Sequence, residues 1–564
     1  MLIRRIGVIG RTYRHIQRYS EILGTLFKLG FGDLVISLRV EQYLDIGRQM
    51  IFRQKKEKIE TLSRAVRVRM VLEELGPTFI KLGQVLSTRP DILPEEFLQE
   101  LVKLQDEVPP FPFEEAQKNI EQELDGPLER FFSMVDPTPL AAASIGQVHR
   151  ATLITGEDVA IKIRRPNIRR MIEVDLEILY HLASLLEKHI FGWELHRPTE
   201  VVEEFGHTLE RELDYRAEAS NMERMAEQHR DDPRYFIPRV FRQASGERLL
   251  TMDFVEGIPA GNLERLREAG YDLGEIARLG AELIMRQTLV HGFFHADPHP
   301  GNLRVLPGPV ICLLDLGMVG RLDRETRERI VDLVLAVARQ DPASLVEALL
   351  KVTDWDEEPD RRALERATGE FMDDYFFRAI KDVELGKALQ DLFRIAQGYR
   401  LRVPANLLFL IKALTATEGL GRRLDPDFDV IKQAAPFVKK AQLQRLSPKR
   451  VAGDFWAFGV EFLDIIKDFP GEARTLGRMA KQGKLKIEIR HVGLEEMRVA
   501  QDRNSNRLAF AVVLAALVIG SSVVIQSGIP PTWHGIPIIG LAGYVVAGLM
   551  AFWLLISILR RGMM

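Results

Sequence analysis

Two stretches near the C-terminus constrain this chain more than anything else in it. Residues 508–525 and 538–559 are 18 and 22 residues long, and neither contains a charge. A helix rises about 1.5 Å per residue, so each approaches the ~30 Å of a bilayer's hydrocarbon core. Soluble helices of this length normally keep a polar face, and the alternative is a helical hairpin buried in a soluble core. Residues 526–535 between them are rich in turn formers and include Trp533, a residue suited to an interface. Arg503 and Arg507 precede the first run, Arg560 and Arg561 follow the second, and the connection has no Lys or Arg. Positive residues stay inside, so both ends of the pair are expected in the cytoplasm. Small residues recur four apart, as at Ala516/Gly520 and Gly543/Ala547, which permits close helix packing or a homodimer through these helices.

The rest reads as a soluble polypeptide. Its 564 residues suggest three or four domains at about 150 residues each, or one large fold with extensions. With 46% hydrophobic and 28% charged residues, a disordered or collagen-like chain is excluded. A net charge of −3 gives no basic excess for nucleic acid. Cys312 is the single cysteine, so a disulfide scaffold and a cysteine-based zinc site are excluded. Residues 1–70 differ, with 15 Lys+Arg against 6 Asp+Glu. Ile3, Ile6, Ile9, Ile22, Leu23, Leu26 and Phe27 recur there at helical spacing. A basic amphipathic helix lying on an anionic membrane surface fits, as does an ordinary solvated helix. No signal-peptide pattern stands out, and Glu21 and Asp33 argue against a transit peptide.

The chain between these ends changes period several times. Residues 63–106 read as helical and 109–112 as a linker. Residues 140–153 and 158–164 read as strands flanking Thr155-Gly156-Glu157, followed by helices over 166–189 and 197–228. Two short strands near 237–242 and 247–253 precede a mostly helical stretch to about 480. The expected fold class is α+β in two lobes, a small sheet with a helix and then a larger helical part. The boundaries are 1–62, basic amphipathic helices; 63–136, a helical extension; 137–257, the sheet lobe with an acidic helix at 197–228; 258–500, the helical lobe and tail; and 501–564, the apolar pair.

The chemistry concentrates in His295-Ala296-Asp297-Pro298-His299-Pro300-Gly301-Asn302 and, beyond it, Leu313-Leu314-Asp315-Leu316-Gly317. Phosphoryl transfer needs such parts: Asp297 to orient an acceptor hydroxyl, and Asn302 and Asp315 to hold Mg²⁺ against ATP phosphates. Polar turns also favour these residue types. Upstream, Val159-Ala160-Ile161-Lys162 puts a lysine on an apolar strand, where it needs anionic partners. In the kinase reading Lys162 contacts ATP phosphates and pairs with a helical glutamate. Glu210, Glu212, Asp214 and Glu218 are the candidates on 197–228. On one continuous helix Glu212 and Glu218 would point about 120° apart and do different jobs. Small-molecule phosphotransferases of the aminoglycoside or choline type share the His-x-Asp pattern with Asn five residues on.

A further motif separates these readings. Lys81-Leu82-Gly83-Gln84 places Lys81 and Gln84 on one helix face. With the motifs above, the sequence resembles the UbiB family of atypical protein-kinase-like proteins, associated with ubiquinone biosynthesis, from about residue 70 to the C-terminal runs. The resemblance implies a two-lobed kinase-like fold with the Lys-x-Gly-Gln helices over the active site and a C-terminal two-helix transmembrane hairpin. It implies an Ala-rich loop in place of the Gly-rich one, with Ala142, Ala143, Ser144, Gly146 and Val148 near nucleotide. It implies that Glu212 and Glu218 divide between Lys162 and Lys81, with Glu218 the preferred partner of Lys162. Lys81 and Gln84 join Asp297 and Lys162 as catalytic candidates. The sequence departs from ordinary protein kinases: Ala296 replaces the Arg of His-Arg-Asp, Leu316 replaces the Phe of Asp-Phe-Gly, and no Ala-Pro-Glu follows. The expected function is that of an atypical kinase or ATPase of the bacterial inner membrane, its catalytic domain facing the cytoplasm. Its partners would be ATP, isoprenoid quinone precursors or membrane lipid, and other quinone-biosynthesis proteins. The alternative is a nucleotide-dependent, non-catalytic scaffold for those proteins.

Overall fold

The computed structural model describes residues 13–38, 62–87, 89, 92–104, 109–189, 197–376, 384–445, 494–533 and 536–561. The chain divides into two units, Met1–Ala452 and Gly453–Met564. The first opens with helices α1 (Tyr13–Lys28), α2 (Gly32–Ser37), α3 (Arg64–Leu75), α4 (Pro77–Leu86) and α5 (Glu95–Leu101). Gly76, at φ 91°, lets α3 end and α4 start at Pro77 with no intervening loop.

A five-stranded antiparallel sheet follows α6 (Phe113–Leu124). Its strands are β1 (Phe132–Val135), β2 (Ala141–Ala142), β3 (Gly146–Leu153), β4 (Asp158–Arg164) and β6 (Leu249–Asp253). Their order is β1-β3-β4-β6, with β2 on β3. In β4, Val159, Ile161 and Ile163 pack with Ala116 and Ile120 of α6. Strand alternation therefore turns Ala160 and Lys162 to the opposite face. Between β4 and β6 run α7 (Ile168–His189), α8 (Pro198–Glu212) and α9 (Tyr215–Gln228).

Several local expectations are corrected. The strand over 140–153 is interrupted where Ala143 N–H donates to the Gly146 carbonyl at 2.8 Å and closes a tight turn. The helix over 197–228 breaks at Asp214, whose side chain caps α9 by accepting from Arg216 N. Glu212 and Glu218 therefore sit on different helices, and no single helical period sets the angle between them. No strand forms at 237–242: Pro238 has no donor to give, and only Val240 bridges to Met252. The expected linker is packed, since Phe111 is buried and its N–H donates to Gln147 Oε1 at 3.1 Å.

The stretch after Gly257 is not simply helical. β5 (Tyr235–Phe236), β7 (Ile258–Pro259), β9 (Leu303–Leu306) and β10 (Val310–Leu313) form a second sheet, ordered β5-β10-β9-β7, while β8 (Phe293–His295) pairs with β11 (Val319–Arg321). The loop 296–302 joins β8 to β9, and the loop 314–318 joins β10 to β11. Pairing β9 with β10 and β8 with β11 brings the two loops together. Around them lie α10 (Leu263–Glu268), α11 (Leu273–Met285), α12 (Arg324–Ala338), α13 (Pro342–Val352), α14 (Arg361–Phe376), α15 (Leu385–Gly398), α16 (Ala405–Leu424) and α17 (Val430–Arg445). The remainder of the expected tail, residues 446–493, lies outside the described residues.

In the second unit, α18 (Leu494–Ser527) and α19 (Ile538–Arg561) pack against each other, with Ser522 Oγ 2.6 Å from Tyr544 Oη. Leu508–Ser527 is long and apolar enough to cross a membrane, and only 6% of it is buried. Ile538–Phe552 is a shorter apolar stretch by the same measure. A Cβ at Gly543 would lie 2.1 Å from Ser521 Oγ, and Ala547 is buried. That small-residue face is used within the chain.

The N-terminal apolar face is also used internally. Ile3, Ile6 and Ile9 lie outside the described residues, but Tyr19, Ile22 and Leu23 of α1 are buried in one cluster with Val71 and Leu72 of α3 and Ile178 of α7. Arg18 fixes the arrangement: Nε and Nη2 donate to Asp175 at 2.7 and 3.2 Å, and Nη2 also donates to the Leu75 carbonyl at 2.7 Å. Asp175 is fully buried. Arg18→Ala would leave that charge without its cation, and is expected to cost about 3 kcal/mol in denaturant unfolding. Arg18→Lys should recover part of the loss.

Candidate active site

Lys162 is where the two lobes meet electrostatically. Its Nζ donates to both Glu218 carboxylate oxygens at 2.9 Å and to Asp315 Oδ2 at 3.2 Å. Nζ also lies 5.3 Å from the centre of the Tyr215 ring. The lysine comes from β4, Glu218 and Tyr215 from the first turn of α9, and Asp315 from the loop after β10. Asp315 Oδ1 accepts from Gly317 N at 2.9 Å, and Asn221 on α9 donates to the Leu316 carbonyl at 3.0 Å. Leu316 is fully buried.

Burial sets the proton affinities here. It opposes the Lys162 charge, but Asp315 and Glu218 outweigh it and hold the lysine protonated. It would raise the Asp315 carboxyl, but Lys162 and the Gly317 N–H overcome it and keep Asp315 ionised, well below the usual range. For Glu218 burial wins against the pull of Lys162. With Asp315 and Glu212 adding repulsion, its carboxyl is pushed up to about 7. Asp315 still keeps 44% of its side chain exposed.

The Ala-rich turn lies beside this lysine. Val148 on β3 is directly opposite Lys162 on β4, and Ala142 on β2 is opposite Gln147. Gly146 allows a close approach: a Cβ there would be 2.6 Å from the Ile163 carbonyl and 2.4 Å from Tyr215 Oη. Ser144 is buried, and its Oγ has no partner among the described residues. Ala143 donates its N–H to the Gly146 carbonyl within the turn.

The Lys-x-Gly-Gln helix, α4, reaches the same charge chain through Glu212. Lys81 Nζ lies 3.4 Å from Glu212 Oε2 at the end of α8. Glu212 in turn acts on Glu218, so Lys81 is two carboxylates away from Lys162. Gln84 is used differently: its amide donates to the Leu104 carbonyl at 3.4 Å and holds α4 to the segment after α5.

The loop 296–302 is ordered by its own hydrogen bonds. Asn302 Nδ2 donates to the Asp297 carbonyl at 3.3 Å, and Leu314 N donates to the Asn302 carbonyl at 3.0 Å, one residue before Asp315. His295 is buried, and burial keeps it neutral; its Nδ1 accepts from Asp297 N at 3.3 Å. Ala296 is buried where an ordinary kinase would carry Arg. The Asp297 side chain has a partner that the sequence analysis missed. Lys412 Nζ on α16 lies 3.1 Å from Asp297 Oδ2. The signal was present: Lys412 is the only charge in Leu407-Leu-Phe-Leu-Ile-Lys-Ala-Leu-Thr-Ala-Thr417.

The raised Glu218 carboxyl has a measurable consequence. A group that binds its proton more tightly in the folded state contributes stability at low pH and loses it as pH rises through its folded value. The unfolding temperature of the wild type relative to Glu218→Gln is therefore expected to fall as pH rises from about 5 to about 8, and to level off above that. Equal pH profiles would contradict this assignment.

Three sequence profiles match the chain: the ABC1 atypical kinase-like domain over residues 103–349, the UbiB helical domain over 368–429, and the ABC1/UbiB kinase-like C-terminal domain over 492–560. A Clostridium pasteurianum protein named "Uncharacterized protein in hydrogenase 1 5'region" is 32% identical, with 97% of this chain and 99% of that one covered. "Probable protein kinase UbiB" of Xanthomonas campestris pv. campestris (strain B100) is also 32% identical, covering 97% of this chain and all of its own length. Among solved structures, "The complex structure of Rv3197-erythromycin from Mycobacterium tuberculosis" matches at 25% identity and a TM-score of 0.44, covering 67% of this chain and 95% of that one. The fold is kinase-like, with mixed helices and sheets, and the chain belongs to the ABC1/UbiB family of atypical kinase-like proteins.

Proposed function

We propose that this protein is a membrane-anchored ATPase or small-molecule kinase that serves isoprenoid quinone synthesis. The observation that carries the proposal is the convergence on Lys162 of Glu218 from one helix and Asp315 from the other lobe. A lysine held this way between carboxylates is positioned for phosphate oxygens and is prevented from drifting.

The residues fit Mg²⁺. Asp315 is ionised and partly exposed, and the Leu314 N–H bond to the Asn302 carbonyl ties the two loops together, so Asn302 and Asp315 offer hard-oxygen donors from adjacent loops. Asn302 and Asp315 would hold the ion, which when bound neutralises charge on the terminal phosphates. Lys162 would bind the phosphates from the sheet side. Val148 and the Ala142–Gly146 turn would cover the nucleotide. Asp297 would orient the acceptor oxygen and take its proton. The buried Ala296 offers no anchor for a phosphorylated activation loop, which favours a small or lipid acceptor over a protein.

The apolar C-terminus supports the membrane assignment. Leu508–Ser527 would span the bilayer, and residues 538–559 would return through it, with the arginines at both ends on the cytoplasmic side. Such an anchor would hold the protein where isoprenoid precursors reside. Lys81, through Glu212, would let the α4 helix sense or restrain the site.

A scaffold that binds nucleotide without turnover is favoured by one feature, the Ala-rich turn, which cannot approach phosphates as closely as glycines. Full-length protein in nanodiscs separates the readings. Mg–ATP hydrolysis is expected to rise with anionic lipid or a soluble quinone-precursor analogue. It should fall at least about 100-fold in Asp297→Asn, with nucleotide binding retained. Binding with no turnover under any condition would establish the scaffold.

A further inference from the structure

We propose that Lys412 is a catalytic residue that binds the transferring phosphoryl group on its acceptor side, an inference that rests on the phosphoryl-transfer reading above. Four observations lead to it. Lys412 Nζ lies 3.1 Å from Asp297 Oδ2, and the two side chains are 27% and 28% exposed, so the pair is reachable from solvent without being fully solvated. The lysine is delivered by α16, a helix whose neighbouring residues Ile411 and Ala413 are buried in the core. It sits mid-helix, away from either terminus, where a charge helps neither capping nor the helix dipole. The loop's own cationic candidate is turned elsewhere: His299 Nδ1 accepts from Gly301 N at 3.0 Å.

The chemistry follows from the donor count. An ammonium has three N–H groups, and one directed at Asp297 leaves two. An acceptor held by Asp297 at about 2.6–3.2 Å brings the attacked phosphorus, and its equatorial oxygens, close to the same ammonium. Lys162, held in place by Glu218 and Asp315, would approach from the sheet side. Two lysines would then flank the phosphoryl group, one from each lobe. With water as acceptor, its oxygen bonds to the γ-phosphorus as the bond from that phosphorus to the β,γ-bridging oxygen breaks. The bridging oxygen leaves with the electron pair on ADP, and the water proton passes to the Asp297 carboxylate. Lys412 keeps its protons throughout and stabilises the charge spread over the equatorial oxygens.

The sequence supports a placed charge over a chance one. A partly exposed ion pair stabilises little, so folding alone does not account for a lysine in this apolar run. The signal becomes specific only once the fold brings α16 alongside the loop after β8.

The test uses the full chain in nanodiscs with Mg–ATP, comparing the wild type with Lys412→Met, Lys412→Arg and Lys162→Ala. Lys412→Met is expected to lower kcat about 100-fold, the scale of removing one donor to developing oxyanion charge. Its ADP affinity should stay within about twofold and its unfolding temperature should hold, because neither depends on the transferring group. Lys412→Arg should recover about tenfold. An unchanged kcat in Lys412→Met, with activity lost in Lys162→Ala, would overturn the inference and leave the phosphoryl-transfer reading standing. Joint loss of ADP binding and thermal stability in Lys412→Met would also overturn it, as a structural role. No turnover by the wild type, or full turnover by Lys162→Ala, would overturn both.

Discussion

The ammonium of Lys162 between two carboxylates is the interaction on which the rest of the structure depends. A buried cation is costly unless it is paired, and here the lysine and its two partners come from three separate chain segments. Strand alternation in β4 turns Lys162 away from the apolar cluster beneath α6. Asp214 ends one helix and caps the next, which puts Glu218 in the first turn of α9. Paired short strands deliver Asp315 from the other lobe. Each device is ordinary, and together they hold three charged groups within hydrogen-bond distance. The cost appears at Glu218, whose carboxyl is pushed up to about 7 by the burial that gathers the others. The network is therefore sensitive to pH near neutrality at one member only.

Much of this was legible in the sequence because it depends on local pattern. Apolar alternation around Lys162 marked the strand, Pro and Gly around Asp297 and Asn302 marked a constrained loop, and the position of Asp315 after an apolar run marked a strand end. What was not legible depended on contacts distant in sequence or on a single backbone break. Periodicity runs smoothly through 197–228, so it did not reveal that Asp214 would stop the helix. Residues 237–242 look like a strand until Pro238 is given its due weight. Apart from the apolar run before Asp315, the short strands after Gly257 are two to four residues long and have no period to detect. Lys412 was visible as a lone charge, but its meaning lay 115 residues away at Asp297.

Apolar surface is distributed in a way that composition alone does not reveal. The N-terminal helix α1 spends its apolar face on α3 and α7, with Arg18 and Asp175 securing it. The C-terminal helix over Leu508–Ser527 does the opposite and leaves its side chains outward. Two segments with similar claims on a membrane thus differ in what they cover. Lys81 carries α4 into the charge chain through Glu212, so the helical extension is coupled to the site by electrostatics as well as by packing.

The central claim is that the Lys162 network is a Mg–nucleotide site. Calorimetric titration of the full-length protein with ATP, with and without Mg²⁺, tests it most directly when repeated on Asp315→Asn. The account predicts binding that requires Mg²⁺ and weakens at least about tenfold in Asp315→Asn, the scale of losing one charged contact to the ion. Equal affinity in the two proteins, or binding indifferent to Mg²⁺, would contradict it.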